Sequence, residues 1–242
     1  TNETLVAVPH ANRRDYWLIS TSTTAVIVIP VTSAGVGSAV AMGATVASSA
    51  WNGLAVAPSG AEFTVFTAPN VRRYPFNAAT GVVGTPTVIA ITGSSSAYGA
   101  AYSPNSTKLY LTDDIGGSGD TPGRMYQVDL APTTPVVTTI GQAAGTYVGA
   151  LALGIDGRIY GACINNTDTS GRHYLSVVDD PNAAGMAAGY TRLGLQLAPT
   201  CVGQLGLPTQ VSAFNFVVED GDRDGVEDGG DADADNDGVL DL

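Results

Sequence analysis

The sequence has few of the residues on which familiar binding and catalytic sites are built. Its 242 residues include two cysteines, two histidines and one lysine, Lys108. Two cysteines and two histidines supply no zinc site of regular Cys/His spacing, and neither a Gly-x-Ser-x-Gly elbow nor a phosphate-binding loop is present. Few long charged side chains are available to cover helix surfaces, which favours strands and turns over exposed helices.

Long hydrophobic runs and an excess of positive charge are also missing. The longest strongly apolar run, Ala25 to Val31, contains Pro30 and is far shorter than the roughly 20 residues of a membrane helix. Ten basic residues face 22 acidic ones, for a net charge of −12, which repels phosphate backbones and anionic membranes. We therefore expect neither nucleic acid binding nor membrane insertion.

The negative charge is concentrated at the carboxyl end. Residues 1–218 hold eleven acidic and nine basic residues, whereas residues 219–242 hold eleven acidic residues and only Arg223. The remaining sequence is rich in Ala, Gly, Thr, Ser and Val. This contrast predicts two domains, residues 1–217 and residues 218–242.

The larger domain is built on an internal repeat of a small apolar strand, a turn, a second strand and a polar third strand. The clearest copies begin at Gly53, Gly99 and Gly149, which are 46 and 50 residues apart, and a weaker copy begins near Leu5. The residues Ser59-Gly60, Asn105-Ser106 and Asp156-Gly157 occupy the first turn of these copies, where a tight hairpin needs residues that tolerate positive φ or bond their own backbone. The repeats therefore predict antiparallel meanders.

A period of about 40 to 50 residues with four short strands is typical of a β-propeller blade. The predicted fold is all-β, a β-propeller of about four blades that is complete or part of a larger one. A β-sandwich with similar hairpins is the alternative. Four blades in an open stack expose an apolar face at each end. We expect closure between the segments near Leu5 and Leu207 to Phe216, or a protein partner or upstream fragment that completes the propeller.

Five phrases of this domain resemble, in order, a propeller region of large surface proteins that Bacteroidota-type bacteria export by type IX secretion. They span residues 3–216 and include the quoted segments Glu3 to Ile19, Tyr102 to Tyr110, Leu151 to Ala162, Val177 to Gly185, and Gly206 to Phe214. The sequence departs from that family in its richness in Ala and Thr. The resemblance implies a surface-exposed propeller that is non-enzymatic or has no defined activity.

The acidic tail contains two calcium-type loops displaced by thirteen residues. Acidic residues at positions 1, 3, 5 and 9, a glycine at 6 and a carbonyl at 7 match the oxygen shell that Ca²⁺ requires in both loops, and the first loop also has an acidic residue at position 12. The predicted ligands are Asp220, Asp222, Asp224, the Val226 carbonyl, Asp228 and Asp231 in the first loop, and Asp233, Asp235, Asp237, the Val239 carbonyl and Asp241 in the second. A merely solubilising acidic tail is the alternative.

Tandem loops of this length without flanking helices resemble thrombospondin type 3 repeats. Isolated loops in extracellular modules bind Ca²⁺ at about 0.1–1 mM, which favours an extracellular or cell-surface location. In that location Cys163 and Cys201 are expected to form a disulfide, with two free thiols as the alternative.

These features favour a secreted, non-enzymatic propeller module for adhesion or extracellular assembly, with a calcium-stiffened stalk. The alternative is an extracellular propeller enzyme, a glycan or polymer hydrolase or lyase, and a glycan remains a candidate ligand. His10 beside Asn12 and Asp15 is a candidate ligand-binding group. The recurring aromatic residues favour packing between blades over carbohydrate stacking; they are Tyr16, Trp17, Trp51, Tyr74, Tyr98, Tyr102, Tyr110, Tyr126 and Tyr160. Acidic residues in turns favour backbone bonding; they are Asp15, Asp129, Asp156 and Asp179.

Overall fold

The computed structural model describes residues 5–22, 24–42, 53–113, 123–143, 146–165, 173–198, 200–201 and 203–208. These residues form four antiparallel sheets in a four-bladed β-propeller arrangement. The predicted all-β propeller fold is therefore confirmed. No helix in these ranges is both long and apolar enough to cross a membrane.

Each blade is a meander in which strands that follow one another in sequence are also neighbours in the sheet. Blade 1 contains β1 (Leu5–Pro9), β2 (Tyr16–Thr21), β3 (Val26–Thr32), β4 (Gly35–Val36) and β5 (Val40–Met42). Blade 2 contains β6 (Gly53–Val56), β7 (Glu62–Thr67), β8 (Asn70–Asn77), β9 (Val82–Val83) and β10 (Thr87–Ala90). The short strands β4 and β5 both pair with β3, and β9 and β10 both pair with β8.

Blades 3 and 4 are four-stranded and have no split outer strand. Blade 3 contains β11 (Ala97–Tyr102), β12 (Lys108–Asp113), β13 (Gly123–Asp129) and β14 (Val136–Ala143). Blade 4 contains β15 (Thr146–Leu153), β16 (Ile159–Asn165), β17 (Tyr174–Val178) and β18 (Tyr190–Gln196), with a short 3₁₀ helix (Gly185–Ala188) before its last strand.

The first turn of every blade has one residue in the left-handed region. Gly60, Ser106 and Gly157 have φ values of 67°, 61° and 80°, at the three turns for which the sequence predicts positive φ. In blade 1 the corresponding residue is Arg13, with φ of 61°, which its side chain does not reveal. The hairpin prediction is confirmed at all three named turns.

The blades stack through both faces of their sheets. We call the face that packs on the following blade the front face, and the face that packs on the preceding blade the rear face. The first strands lie side by side in the order β1, β6, β11 and β15. Three hydrophobic cores fill the seams, centred on Ile19 with Phe63, Phe66 with Leu109, and Tyr110 with Ile159.

Glycines set the closest approach between first strands. A Cβ at Gly53 would lie 3.0 Å from the carbonyl oxygen of Tyr98, and one at Gly99 would overlap the carbonyl oxygen of Gly149. The Thr112 hydroxyl bridges the second of these seams, because its Oγ1 accepts from the Gly99 amide at 2.7 Å and donates to the Gly149 carbonyl at 2.8 Å. The repeated glycine is thus the residue that lets adjacent blades meet at the axis.

The predicted disulfide between the two cysteines is not formed. Cys163 is a buried free thiol and Cys201 an exposed one. The Cys163 thiol instead donates to the carbonyl oxygen of Arg192 at 3.1 Å, and burial raises its pKa. In this structure Cys163 behaves as a small core residue of the seam between blades 3 and 4.

Candidate functional site

The predicted calcium ligands lie outside the described residues. They are Asp220, Asp222, Asp224, Val226, Asp228 and Asp231 of the first loop, and Asp233, Asp235, Asp237, Val239 and Asp241 of the second. Calcium binding by the tail therefore stays a prediction from spacing. Within the described ranges no three His, Cys, Asp or Glu side chains converge on a metal-sized site.

The cluster around His10 is a self-contained turn between β1 and β2. His10 Nδ1 accepts from the Asn12 amide at 3.0 Å, and the imidazole stacks on Trp17 with ring centroids 5.4 Å apart. The Asn12 side-chain amide donates to Asp15 at 2.8 Å, while its oxygen accepts from the Arg14 and Asp15 amides. These contacts hold the turn and leave Nδ1 of His10 occupied.

Of the four acidic residues predicted to bond backbone groups in turns, Asp129 and Asp156 do so, the latter through the Arg158 amide at 3.2 Å. Asp15 instead accepts from the Asn12 side chain, and Asp179 lies 3.6 Å from Arg158 as an ion pair. Asp129 accepts from Lys108 Nζ and from the Ala131 amide, both at 3.0 Å. Burial opposes ionisation of Asp129, but these donors outweigh it and lower its pKa. Asp156 accepts from the Tyr160 hydroxyl at 2.6 Å, which lowers the pKa of Asp156 and raises that of Tyr160.

A different set of polar contacts joins one blade to the next, and the second strand supplies its central residue. In each blade a backbone hydrogen bond closes the first turn, and its acceptor carbonyl belongs to a residue at or just before the start of the second strand. We call the residue two positions after that acceptor the docking residue; in blades 1 to 4 these are Trp17, Thr64, Tyr110 and Tyr160. The first three lie on front faces against the following blade. The regular spacing of the turns locates the docking residue in the sequence, but the type of side chain at that position differs between blades.

Trp17 holds the loop that follows the third strand of blade 2. Its Nε1 donates to the carbonyl oxygen of Ala78 at 2.8 Å, and the Ala11 amide donates to the same oxygen at 3.1 Å. The indole ring fills the space where a Cβ of Gly81 would lie, 2.7 Å from ring carbons. Gly81 has φ of 71°, so the turn needs glycine for both its conformation and its contact with the ring.

Tyr110 and Gln127 hold the corresponding loop of blade 4. The Tyr110 hydroxyl donates to the Pro181 carbonyl at 2.9 Å and accepts from Gln127 Nε2 at 2.6 Å. Gln127 also donates to the Ala183 carbonyl at 2.8 Å and accepts from the Gly185 amide at 2.6 Å. Burial raises the pKa of Tyr110 to about 12, and every hydrogen-bonding atom of this pair is used.

The seam between blades 2 and 3 contains an ion pair beside a buried phenol. Arg73 and Glu62 pair at 2.7 Å with about a fifth of each side chain exposed. Tyr102 of blade 3 is buried next to them, and burial followed by the charge of Glu62 raises its pKa well above the ordinary value. Each of the three blade seams therefore has polar contacts near the docking position beside its hydrophobic core.

Sequence reasoning did not single out Asp113, the only fully buried carboxylate among the described residues. It accepts from the Ser95 and Ser96 amides, at 3.3 and 2.8 Å, and from the Tyr126 hydroxyl at 3.2 Å. Arg124 lies 3.7 Å away. Asp113 anchors the connection between blades 2 and 3, and its only sequence signal is a charge at the end of an apolar strand.

The recurring aromatic residues divide into buried and partly exposed groups. Tyr74, Tyr102, Tyr110 and Tyr126 are at most 2% exposed, which confirms packing between blades for these four. Tyr16, Trp17, Tyr98 and Tyr160 are partly exposed, and Trp51 lies outside the described residues. A cleft of about 310 Å³ between blades 3 and 4 is lined by Tyr190, Arg192, Val148, Gly141 and residues of β13 and β14.

Comparisons with known proteins agree in fold only. No family model matches this sequence, and no curated protein matches it. Solved structures that are similar include a functionally unknown protein from Desulfotomaculum acetoxidans (13% identity, TM-score 0.46, 73% of this chain and 52% of that chain). Others are Kuenenia stuttgartiensis hydrazine synthase (10%, 0.48, 74% and 55%) and the Dos1 propeller (12%, 0.39, 68% and 53%). This chain spans about half the length of those three.

Proposed function

We propose that this chain is a secreted, non-enzymatic propeller module for adhesion or extracellular assembly, joined to a calcium-binding stalk. The observation that carries the proposal is that the tail repeats the same calcium-ligand spacing twice. Asp220, Asp222 and Asp224 recur thirteen residues later as Asp233, Asp235 and Asp237, each set followed by glycine and valine. An acidic stretch that only confers solubility has no physical reason to repeat a glycine turn in phase with its carboxylates.

The contacts in the propeller support a structural role for its polar residues. His10, Asp15, Asp129 and Asp156 are each bonded within their own turn or to a neighbouring strand. His173 Nδ1 lies 2.8 Å from the carbonyl oxygen of Cys201. These side chains stabilise turns and seams, as a rigid display scaffold requires.

The tail, residues 219–242, has ten excess negative charges in 24 residues, and bound calcium would allow it to act as a stalk. The carboxylates of each loop repel one another until a divalent cation neutralises them. Weak sites, on the order of 0.1–1 mM, are filled in a calcium-rich extracellular medium. The proposed location outside the cell follows from this affinity range.

The proposal is tested by calorimetric titration of the full chain with Ca²⁺, together with hydrogen exchange of residues 219–242 in Ca²⁺ and in EDTA. Asp224→Ala removes a proposed ligand at position 5. Glu227→Ala removes the same charge at position 8, which supplies no ligand in such loops. We expect Asp224→Ala to weaken one site at least tenfold and Glu227→Ala to change it little.

Equal weakening by both variants, or equal exchange of the tail in Ca²⁺ and EDTA, would show that only bulk negative charge acts. The non-enzymatic part has its own measurement. The chain is incubated with a panel of extracellular polysaccharides, and reducing ends are counted alongside retention of the chain on the same polymers. Retention without new reducing ends supports the proposal, and release of reducing ends overturns it.

A further inference from the structure

The rear face of blade 1 is built like the rear faces that are buried elsewhere in the propeller. Tyr16 and Leu18 follow the first turn at the same positions as Phe63 and Val65 of blade 2, and Val31 and Ile29 pair with them across the sheet. Phe63 and Val65 are fully buried against blade 1. The blade 1 residues are only partly buried, and none of them is charged.

The loop after the third strand of blade 1 shares two backbone features with the loop that blade 2 docks on Trp17. In both loops a glycine amide, Gly37 or Gly84, donates to the carbonyl oxygen of the proline in the preceding strand at 2.8 Å. Both loops also have a glycine of positive φ, 109° at Gly35 and 71° at Gly81. The loops differ in length, because Thr32 pairs with Gly35 in blade 1 and Asn77 pairs with Val82 in blade 2. What they share is the glycine-to-proline hydrogen bond and a glycine of positive φ.

Only one of the two loops has a docking residue against it. Gly81 packs on the indole ring of Trp17, whereas no described residue lies within 4 Å of a Cβ built at Gly35. The neighbouring Val36 is 71% exposed. Blade 1 thus presents both parts of a rear interface, the apolar face and the loop, with no blade described behind it.

At the opposite end of the stack, a segment after the last strand packs against the first strand of blade 4. Gly203 to Pro208 repeats the spacing of the first strands, in which glycine is followed five residues later by proline or glycine: Gly53 and Pro58, Gly99 and Pro104, Gly149 and Gly154. The Ala150 amide donates to the Leu205 carbonyl at 2.7 Å, and a Cβ at Gly149 would overlap that same oxygen. Leu205 therefore lies beside Gly149 of β15 as Gly149 lies beside Gly99 of β11.

We propose that the four blades are consecutive members of a longer stack, and that the rear face of blade 1 receives the front face of a further antiparallel blade. The occupant is defined by the three seams described above. It has a small or branched apolar front face and, at its docking position, an aromatic ring or side-chain donor that binds the loop at Ser33–Gly37. The segment around Leu205 occupies the first-strand position of a blade that follows blade 4.

A probe for this surface can be taken from the chain itself. A copy of residues 97–202, which contains blades 3 and 4, is fused before Thr1 of the full chain. The copied blade 4 then precedes blade 1, so that its front face, with Tyr160 at the docking position, can pack on the rear face of blade 1. The chain and the fusion are compared by apolar-dye fluorescence, light scattering and thermal unfolding. Leu18→Thr reports on the proposed face, and Val65→Thr is the matched control in blade 2.

In the unfused chain we expect a monomer that binds dye, and a Leu18→Thr change in Tm of less than about 2 °C, against a fall of about 5 °C for Val65→Thr. In the fusion we expect dye fluorescence per copy of blade 1 to fall at least twofold, and Leu18→Thr to lower Tm as much as Val65→Thr does. A fusion in which neither quantity changes overturns the proposal.

Two other occupants have distinct signatures, and either one also overturns the proposal. A dimer of the unfused chain that Leu18→Thr dissociates would mean that a second copy covers the face. An unfused monomer that binds no dye, and loses as much stability from Leu18→Thr as from Val65→Thr, would mean that the chain covers the face itself. None of these readings depends on Ca²⁺, so failure here leaves the proposed function of the tail intact.

Discussion

Blades 1 and 2 use the same backbone plan but differ in what stands behind them. The rear face of blade 2 is closed by blade 1, so Phe63, Val65 and Tyr74 are fully buried. The rear face of blade 1 has an equally apolar sequence, yet Tyr16 and Leu18 remain partly exposed. The comparison teaches that a blade's sequence encodes its neighbour as well as its own sheet, because neither face of a lone blade is polar enough to meet water.

The largest expected effect is on stability, from a substitution at a fully buried position in the rear face of blade 2. Phe63 stacks on Tyr74 with centroids 5.0 Å apart and lies edge-on to Phe76. Phe63→Ala should lower the free energy of unfolding by about 3–5 kcal/mol, the usual cost of a large aromatic cavity. The matched change Tyr16→Ala on the open face should cost about 1 kcal/mol or less. Urea unfolding of both variants is the measurement, and equal losses would contradict the difference in burial.

A second prediction compares a glycine inside a blade seam, Gly99, with one outside the seams, Gly206. Gly99→Ala places a methyl group against the Gly149 carbonyl and the Thr112 hydroxyl, which are held by their own hydrogen bonds. We expect a loss of about 1–3 kcal/mol from overpacking. Gly206→Ala meets no heavy atom within 4 Å and should change stability by less than about 0.5 kcal/mol. Thermal unfolding of the two variants distinguishes a closed seam from an open one.

The third prediction concerns the docking residues of blades 3 and 4. Tyr110→Phe leaves the Pro181 carbonyl and one Gln127 donor without a partner in a buried seam, at a cost of about 1–3 kcal/mol. Tyr160→Phe removes a hydroxyl that bonds only the exposed Asp156, and should cost about 0–1 kcal/mol. The measurement is the denaturant midpoint of unfolding for each variant. Similar midpoints would contradict a special role for a docking residue that bonds the following blade.

The smallest effect is a pH dependence at the same residue. The pKa of Tyr110 is raised from 10.0 to about 12 in the folded chain, so the folded state holds this proton more tightly than the unfolded state does. The corresponding stability is complete below pH 10 and is lost as the pH rises through 12. The stability difference between the chain and Tyr110→Phe should therefore shrink from pH 9 to pH 12. A difference that stays constant or grows over that range would contradict the assigned cause.

Much of the fold follows from local pattern. The repeated glycine, the turn residues Gly60, Ser106 and Gly157, and the alternation of each strand predict antiparallel meanders, because hairpin turns and sheet faces depend on neighbouring residues. The short outer strands β5 and β10 were harder to predict, since an edge strand buries little and its sequence is only weakly constrained. Arg13 at a left-handed position was missed for a related reason: nothing in its side chain marks positive φ.

The candidate sites also divide into those that local sequence predicts and those that depend on the folded chain. The calcium ligands from Asp220 to Asp241 are a sequence prediction in full, because such a loop takes its oxygens from consecutive residues. The role of Asp113 could not be predicted, since its partners Ser95, Ser96 and Tyr126 come from separate segments. The disulfide prediction was wrong in this structure because a cysteine pair depends on distance and direction in the folded chain, which spacing does not give.

By itself, then, the sequence determined the repeating unit, its turns and the composition of its two faces, all of which are properties of a few consecutive residues. The tertiary structure decided which face of a blade meets which neighbour, that Trp17 and Tyr110 are docking residues, and that Leu205 lies beside Gly149 of β15. The physical reason is that blade stacking joins residues distant in sequence, such as Trp17 with Ala78, 61 positions apart, and Tyr110 with Pro181, 71 positions apart. Their complementarity exists only after each sheet has formed.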